Sequence, residues 1–163
     1  MNNLSSFATV VALATSLSSP LAAEEKLDVF GTEIVVKVDG SKTGGAMTVV
    51  EATVPSGSGP PRHVHSREDE MFYVMSGRFK IAHKDHDMEV GSGEVVFLSR
   101  NETHTFKNVS SQPAKLLITI TPAGFEGFFR DVSQRKLSPP KDMQEINAVA
   151  EQYGLKFVGP PLQ

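Results

Sequence analysis

Three histidines and one glutamate are the residues of this chain whose types and spacing favour a metal site: His63, His65, Glu70 and His104. Imidazole nitrogens and a carboxylate oxygen suit divalent Fe, Mn, Ni, Co, Cu or Zn. The chain contains no cysteine, so the thiolates typical of closed structural zinc sites are missing. A metal held by imidazoles and one carboxylate, with open coordination positions, is more often a reaction centre than a structural element.

Strand geometry predicts that these side chains share one face. His63 and His65 are separated by one residue, and residues i and i+2 of a β-strand point the same way. Glu70 begins the next predicted strand, and His104 begins a later one. If the shared face is the interior of a barrel, the four side chains meet in its cavity.

The rest of the chain has the pattern of a mostly β protein. From Leu27 onward, about ten short alternating segments are separated by turns rich in Gly, Pro, Asp and Ser. Their even spacing predicts an antiparallel sandwich or barrel, because no helices alternate with the strands as they would in a parallel sheet. Two helices are predicted near the C-terminus. One covers 124–132, and the other follows Ser138 as its N-cap and ends at Gly154.

Composition narrows the classes of function. A length of 163 residues fits one domain with a substantial core. The net charge of -3 and the lack of a basic stripe predict no nucleic-acid partner. The absence of cysteine and of a Gly-x-Ser-x-Gly motif disfavours a cysteine or serine hydrolase.

Residues 1–23 differ from the remainder, since they carry no charged side chain and include an apolar run over 7–14. Small residues before Glu24 fit a secretory signal peptide, although no Lys or Arg stands near Met1. The alternative is a disordered or surface-packed arm. The run is too short for a membrane span, so no membrane partner is expected. We expect a periplasmic or secreted protein if 1–23 is removed and a cytoplasmic one otherwise, with the globular domain at 24–163.

Two stretches of the chain match the motifs of the cupin family. The first pattern, Gly-x5-His-x-His-x4-Glu-x6-Gly, is met at Gly57, His63, His65, Glu70 and Gly77. The second pattern, Gly-x5-Pro-x-Gly-x2-His-x3-Asn, is met at Gly93, His104 and Asn108. It departs from the family at Ser99 and Asn101, which replace Pro and Gly. Asn tolerates a left-handed turn nearly as well as Gly does, so Asn101 can serve there.

The sequence is identified as a small single-domain cupin, and over 26–161 it resembles those grouped with quercetin 2,3-dioxygenases. The resemblance implies an all-β jelly-roll barrel with short C-terminal helices, commonly assembled as a homodimer. It also implies that His63, His65, Glu70 and His104 bind one divalent transition metal.

By the same resemblance, the metal would bind a deprotonated substrate oxygen and bring it together with dioxygen. Glu70, the anionic ligand, is then best placed to accept the substrate proton. We expect Phe72, Phe106, Phe125 and Phe128 to form an apolar wall for a small aromatic or enolic, flavonol-like substrate. A phenylalanine stripe such as the one near the C-terminus is more often part of a packed core than of a substrate wall.

Two other classes of function are compatible with the same residues, because one fold hosts many activities. A non-oxidative metal enzyme, such as an isomerase, lyase or decarboxylase, would act without oxygen. A non-catalytic protein would bind a metal or small ligand and form no product.

Some polar residues near the motifs have simpler interpretations. Asp69 is an alternative to Glu70, because some cupins have one residue fewer before the carboxylate. The six-residue step to the closing glycine favours Glu70. His83 and His86 bracket a hairpin tip and are expected to face solvent. Glu68 is expected in a solvated turn.

Overall fold

The structure is a computed structural model that describes residues 24–163. The signal-peptide prediction concerns residues 1–23 and lies outside the described residues. The described part of the chain forms eleven strands and two α-helices, with a 3-10 turn at Gly40–Lys42. In chain order these are β1 (Glu25–Val29), β2 (Thr32–Val38), β3 (Thr48–Val54), β4 (Arg62–His65), β5 (Asp69–Ser76), β6 (Arg78–His83), β7 (His86–Gly91), β8 (Val95–Leu98), β9 (His104–Asn108), β10 (Ala114–Thr121), α1 (Glu126–Arg135), α2 (Met143–Gln152) and β11 (Leu155–Gly159).

The strands form two antiparallel sheets. The six-stranded sheet has the order β1-β2-β3-β10-β5-β8, and the five-stranded sheet has the order β11-β4-β9-β6-β7. Buried residues of both sheets contribute to one hydrophobic core. The prediction of an all-β jelly roll with short C-terminal helices is confirmed.

Strict alternation explains why the central strands bury one face. Strand β3 alternates buried and half-buried residues along its length, and β10, its neighbour in register, does the same. Val50, Leu116 and Ile120 are fully buried on the shared inner face. Burying a side chain of this size contributes roughly 1.5–3 kcal/mol, so this pair of strands anchors the barrel.

Two tight turns explain positions in the cupin motifs. Gly77 has a φ of 82°, and a Cβ at that position would lie 2.4 Å from the Cβ of Ala114. Only glycine meets both conditions without a shift of the β5–β6 turn. Asn101 has a φ of 64°, so it takes the left-handed conformation that the family's glycine would provide.

The C-terminal region departs from the predicted boundaries. Helix α1 begins at Glu126 and ends at Arg135, later than predicted at both ends. Helix α2 begins at Met143 after Asp142, so the prediction of Ser138 as its N-cap is wrong. The Ser138 backbone N–H instead donates to an Asp142 carboxylate oxygen at 3.0 Å.

Strand β11 was not predicted, yet it bears on the site. The chain reverses at Gly154, whose φ is 72°, and then pairs with β4. Leu155 is paired with His65 and Phe157 with His63. The strand that carries two of the histidines is therefore flanked on both sides, by β11 and β9.

The outer face of β5 and β8 carries exposed apolar side chains, with Tyr73 40% and Phe97 58% exposed. Tyr73 lies on the opposite face from Glu70, as the alternation of β5 predicts. The predicted homodimer stays a prediction. Among residues 24–163, no helix is both long and apolar enough to cross a membrane.

Candidate metal centre

The four predicted ligands converge in the structure. His63 and His65 lie on β4, His104 begins β9, and Glu70 lies on β5 of the other sheet. His63 and His104 are directly opposite each other in the ladder between β4 and β9. One donor atom from each of the four buried side chains lies within 4.8 Å of the others. We call these four residues the quartet.

The rings and the carboxylate face one another at short range. The Nε2 atom of His104 lies 3.0 Å from Oε2 of Glu70, and Nε2 of His65 lies 3.8 Å from the same oxygen. The His63 and His104 ring centroids are 4.5 Å apart. The Nε2 atoms of His65 and His104 are thus both aimed at the carboxylate that a shared cation would also contact.

Backbone carbonyls set the tautomers of two histidines. Nδ1 of His63 lies 2.7 Å from the carbonyl oxygen of Pro61, and Nδ1 of His104 lies 3.1 Å from that of Glu102. A carbonyl only accepts hydrogen bonds, so each Nδ1 carries the proton and donates. In the neutral rings Nε2 then presents a lone pair toward the quartet, which is the form that binds a metal.

This assignment leaves two electron-rich atoms in contact. Nε2 of neutral His104 and Oε2 of Glu70, 3.0 Å apart, both present lone pairs. A proton shared between them or a cation beside both relieves the repulsion. The donor set therefore fits a divalent transition metal, and the identity of the metal is not fixed by these ligands.

The environment of His65 differs from that of the other two rings. Its Nδ1 lies 3.5 Å from Oε2 of Glu68, and neither of these buried atoms has a hydrogen-bond partner among the described residues. Glu68 is only 4% exposed, so the prediction of a solvated turn is wrong for this residue. No periodic pattern indicates this burial, because Glu68 lies between two strands.

Asp69 is held away from the quartet by an arginine from the neighbouring turn. Its two carboxylate oxygens accept hydrogen bonds from Arg100 Nε at 3.1 Å and Nη2 at 2.7 Å. These bonds lower the pKa of Asp69 to about 2. The alternative in which Asp69 replaces Glu70 in the quartet does not agree with this geometry.

The two remaining histidines stand outside the quartet. His86 is exposed, as predicted. His83 is only half-buried rather than fully solvent-facing, and its Nε2 lies 2.7 Å from a Glu102 carboxylate oxygen. His83 also lies opposite His104 in the ladder between β6 and β9.

Burial and neighbouring groups keep two members of the quartet, His63 and Glu70, in the protonation states that bind a metal. Burial, followed by the nearby His104 and His65, lowers the pKa of His63 to about 3. Burial by itself raises the pKa of Glu70, but the neighbouring His65 and His104 bring it down to about 2. At neutral pH the first is a neutral imidazole and the second a carboxylate, as ligation requires.

Charge balance also favours a cation. Glu68 and Glu70 bring two carboxylates into one buried cluster, and their ion-pair partners among the described residues are histidines. Buried charges are costly unless they are paired or coordinate a metal. A divalent cation at the quartet would offset both carboxylates.

A cavity of about 100 Å³ opens onto the quartet. Its floor is formed by His63, His65 and Glu70. No Lys or Arg is among the lining residues, which are otherwise mostly apolar: Val29, Phe30, Thr32, Ile34, Ala52, Gly59, Pro60, Phe72, Phe106, Ile118, Phe125, Phe128, Phe129, Leu155 and Phe157.

The predicted substrate residues all line this cavity, and all belong to the core. All four side chains are buried, and the most exposed of them, Phe106, is 8% exposed. The ring of Phe125 meets that of His65 edge-on, with centroids 4.4 Å apart. The core-packing and cavity-lining interpretations of the phenylalanine stripe therefore both hold.

Sequence reasoning missed one wall residue, Phe30. It occupies the two-residue turn between β1 and β2 with a φ of 56°, followed by Gly31 at 81°. Positive φ at both positions is the turn geometry that favours Asn-Gly, and a bulky aromatic residue is an outlier there. Phe30 lines the cavity and meets Phe128 edge-on at 6.4 Å. We call Phe30, Phe125, Phe128 and Phe129 the wall.

Helix α1 is tied to the barrel by polar contacts at its outer side. Arg130 donates to Glu25 at 2.7 Å and also pairs with Asp39. The Ser133 hydroxyl accepts the Asp28 backbone N–H at 3.0 Å. Three phenylalanines of the wall are thereby held over the cavity by contacts that do not touch the quartet.

Comparison with known families agrees with the fold and the motifs. Residues 50–120 match the family model described as the cupin domain. This chain carries a cupin domain. The matched segment runs from β3 to β10 and contains the whole quartet of this cupin.

Solved structures similar to this cupin agree on the fold. Pac13, described as a unique nucleoside dehydratase, is 15% identical with a TM-score of 0.57, over 91% of this chain and 95% of that one. KdgF of Halomonas sp. is 15% identical with a TM-score of 0.57, over 63% and 90%. A predicted oxalate decarboxylase of Thermotoga maritima is 21% identical with a TM-score of 0.55, over 61% and 91%.

One curated relative matches part of the sequence. The uncharacterized protein MJ1618 of Methanocaldococcus jannaschii is 28% identical over 79 residues. The match covers 48% of this chain and 63% of that protein. These comparisons establish the fold of the cupin.

Proposed function

We propose that this cupin is a metal-dependent enzyme that oxidises or cleaves a small aromatic or enolic molecule with dioxygen. The observation that carries the proposal is the position of the quartet at the end of an apolar cavity. Three imidazoles and one carboxylate would leave coordination positions of a bound metal open on the cavity side. His63, His65, Glu70 and His104 would hold the metal.

When bound, a divalent metal supplies Lewis-acid chemistry that lowers the pKa of a substrate enol or phenol. The chain's own residues prepare the site for such a substrate. His63 and His104 keep their Nδ1 protons on backbone carbonyls, so neither ring offers a proton to the cavity. Phe125, packed edge-on against His65, keeps water from that side of the floor.

Glu70 is the proton acceptor in this proposal. It is the carboxylate of the floor, and its low pKa of about 2 keeps it ionised. So weak a base accepts a proton readily only from a strongly acidified hydroxyl. Its first role is therefore that of anionic ligand, and proton acceptance follows when the substrate hydroxyl is acidified.

The cavity limits the substrate by size and by charge. Its volume of about 100 Å³ is below the roughly 300–1,000 Å³ of common ligand pockets. A single ring with an adjacent hydroxyl suits this space, whereas a complete flavonol requires the wall to move. The lining contains no Lys or Arg to bind a second carboxylate, which disfavours a dicarboxylate substrate.

A non-oxidative reaction is the second candidate. The placement of Glu70 within the cavity favours it, because a carboxylate beside a bound substrate can move a proton without oxygen. The names of two similar structures, a nucleoside dehydratase and a predicted oxalate decarboxylase, describe reactions of this kind in those proteins.

Oxygen uptake distinguishes the candidates. Metal-loaded protein is incubated with single-ring catechols and enols and, in parallel, with a flavonol, in air and under strict anaerobiosis. We expect oxygen consumption with a single-ring compound, and at least about a 100-fold loss in Glu70→Gln, since general-base and ligand roles are both removed. Equal turnover without oxygen would contradict the dioxygen-dependent reaction and support the non-oxidative one. Unchanged turnover in Glu70→Gln would reject the site itself.

A further inference from the structure

Glu68 is a buried carboxylate that the reaction outlined above does not use. Its side chain is 5% exposed, and its Oε2 lacks a hydrogen-bond partner among the described residues. The nearby Nδ1 of His65, 3.5 Å away, is equally unpartnered and buried. A buried polar group without a hydrogen-bond partner costs free energy, so a role for these two atoms would explain why both are buried side by side.

The geometry of His65 supplies that reason. Its Nε2 faces Glu70 and the quartet, and its Nδ1 faces Glu68 on the opposite side of the ring. A neutral imidazole that uses Nε2 as a ligand must carry its proton on Nδ1. The other two histidines give that proton to backbone carbonyls, whereas His65 has only a carboxylate within reach of it.

Neighbouring contacts keep Glu68 in place. On one side, Ser66 and Arg67 donate to the backbone carbonyls of Gly154 and Gln152, each at 2.9 Å. On the other side, Asp69 is clamped by Arg100. Glu68 thus lies between residues that are anchored on both sides.

We propose that Glu68 is a positioning residue that accepts the Nδ1 proton of His65, fixing the ring so that Nε2 coordinates the metal. This inference rests on the metal centre of the proposed function. A carboxylate acceptor makes the opposite nitrogen of the ring a stronger donor than a carbonyl acceptor does. The negative charge of Glu68 also favours a divalent cation in a buried cluster that already contains Glu70.

Metal affinity tests the proposal without any substrate. Co2+ is titrated into the full chain, stripped of metal, in competition with a chelator, and its visible spectrum is recorded. We expect Glu68→Gln to weaken Co2+ binding about 10- to 100-fold, the range found when such partners of a ligating histidine are removed. Glu68→Asp should recover part of the loss, since it restores the charge on a shorter side chain.

Glu126→Gln is the matched control. Glu126 is a carboxylate of similar burial, 6% exposed, that accepts hydrogen bonds from Thr48 and Gly124 away from the quartet. Its loss should lower the melting temperature and leave Co2+ affinity unchanged. Equal affinity in the unaltered chain and Glu68→Gln would overturn the role of Glu68 alone. Failure of the unaltered chain to bind Co2+ or other divalent transition metals would overturn the proposed metal centre as well.

A second measurement serves if Glu68→Gln does not fold. In the Zn2+-loaded unaltered chain, nitrogen-15 NMR reports the tautomer and the Nδ1 proton of each histidine. We expect His65 to carry its proton on Nδ1, with a resonance farther downfield than those of His63 and His104, because its acceptor is charged. A His65 proton found on Nε2, or one that matches the other two, would contradict the proposal.

Discussion

The floor of the cavity and its wall differ in what holds their side chains in place. His63 and His65 lie on a strand that is paired on both sides. The ring of His63 is also held by the hydrogen bond from its Nδ1 to the carbonyl oxygen of Pro61. The wall stands on a hairpin turn and on the start of α1, where aromatic contacts and surface ion pairs hold it. The side chains of the quartet are thus fixed by backbone structure, and the side chains of the wall are fixed by packing.

The difference has a functional consequence. Metal coordination requires donor atoms placed to within a fraction of an ångström, which strands supply better than loops. Selection of a small apolar molecule tolerates larger adjustments, because dispersion contacts are individually weak. Substitutions in the quartet should therefore change metal binding, whereas substitutions in the wall should change stability or substrate choice and leave the metal in place.

The largest effect is expected from His104→Ala, which removes one ligand of the quartet. We expect Co2+ affinity to fall by more than about 1,000-fold, equivalent to roughly 4 kcal/mol, while the circular dichroism spectrum keeps its β character. His83→Ala is the control, because His83 lies opposite His104 in the ladder but outside the quartet. Near-stoichiometric metal in His104→Ala, measured by elemental analysis, would show that His104 is not needed for metal binding.

An intermediate effect is expected from acid on the metal-free chain. The pKa of His63 is about 3 in the fold against an ordinary value of 6.5, so the unfolded chain binds more protons between these values. The stability that this neutral histidine contributes is present above the ordinary value and declines as the pH falls toward 3. Between about pH 7 and about pH 5 the loss is about 2 kcal/mol.

Urea denaturation at each pH measures this loss. His63→Gln should show a shallower decline, because the titrating ring is gone, whereas Phe125→Leu in the wall should keep the original slope. Parallel slopes in the unaltered chain and His63→Gln would show that His63 does not titrate as its burial implies.

The smallest effect is expected at Phe30, in the wall. The left-handed conformation is costly for a bulky side chain by roughly 1–2 kcal/mol and is better tolerated by Asn. We therefore expect Phe30→Asn to be more stable than Phe30→Leu by about 1 kcal/mol, although Leu retains more apolar surface. Chemical denaturation measures the difference, and Co2+ affinity should be unchanged in both variants. A more stable Leu variant would show that packing outweighs the turn at this position.

Local spacing was sufficient to predict that three members of the quartet lie together. His63 and His65 share a face because alternate residues of a strand always do, and Glu70 follows on the next strand with Phe72 and Val74 on its side. The left-handed turn at Asn101 also followed from a local preference. The pairing of His63 with His104 is a long-range contact between β4 and β9. It agrees with the resemblance to the cupin motifs, which contain both histidines.

Long-range contacts decided what the sequence left out. The residues beside Glu68 are anchored by Gly154, Gln152 and Arg100. These partners are distant in sequence and come close to Glu68 only in the folded chain. Strand β11 exists as a strand by pairing with β4, about ninety residues earlier in the chain. A short segment with a weak intrinsic preference for the β conformation becomes a strand when a neighbouring strand pairs with it.

The sequence by itself predicted the members of the quartet and the class of fold, because both depend on residue types and on the spacing within short motifs. Only the tertiary structure decided which carboxylates enter the buried cluster, since Glu68, Asp69 and Glu70 are consecutive and similar in chemistry. It also decided the size and the apolar lining of the cavity, because Phe30, Phe106 and Phe128 meet from distant parts of the chain. Burial and distance are properties of the packed molecule, and they turn a pattern of histidines into a site with one open side.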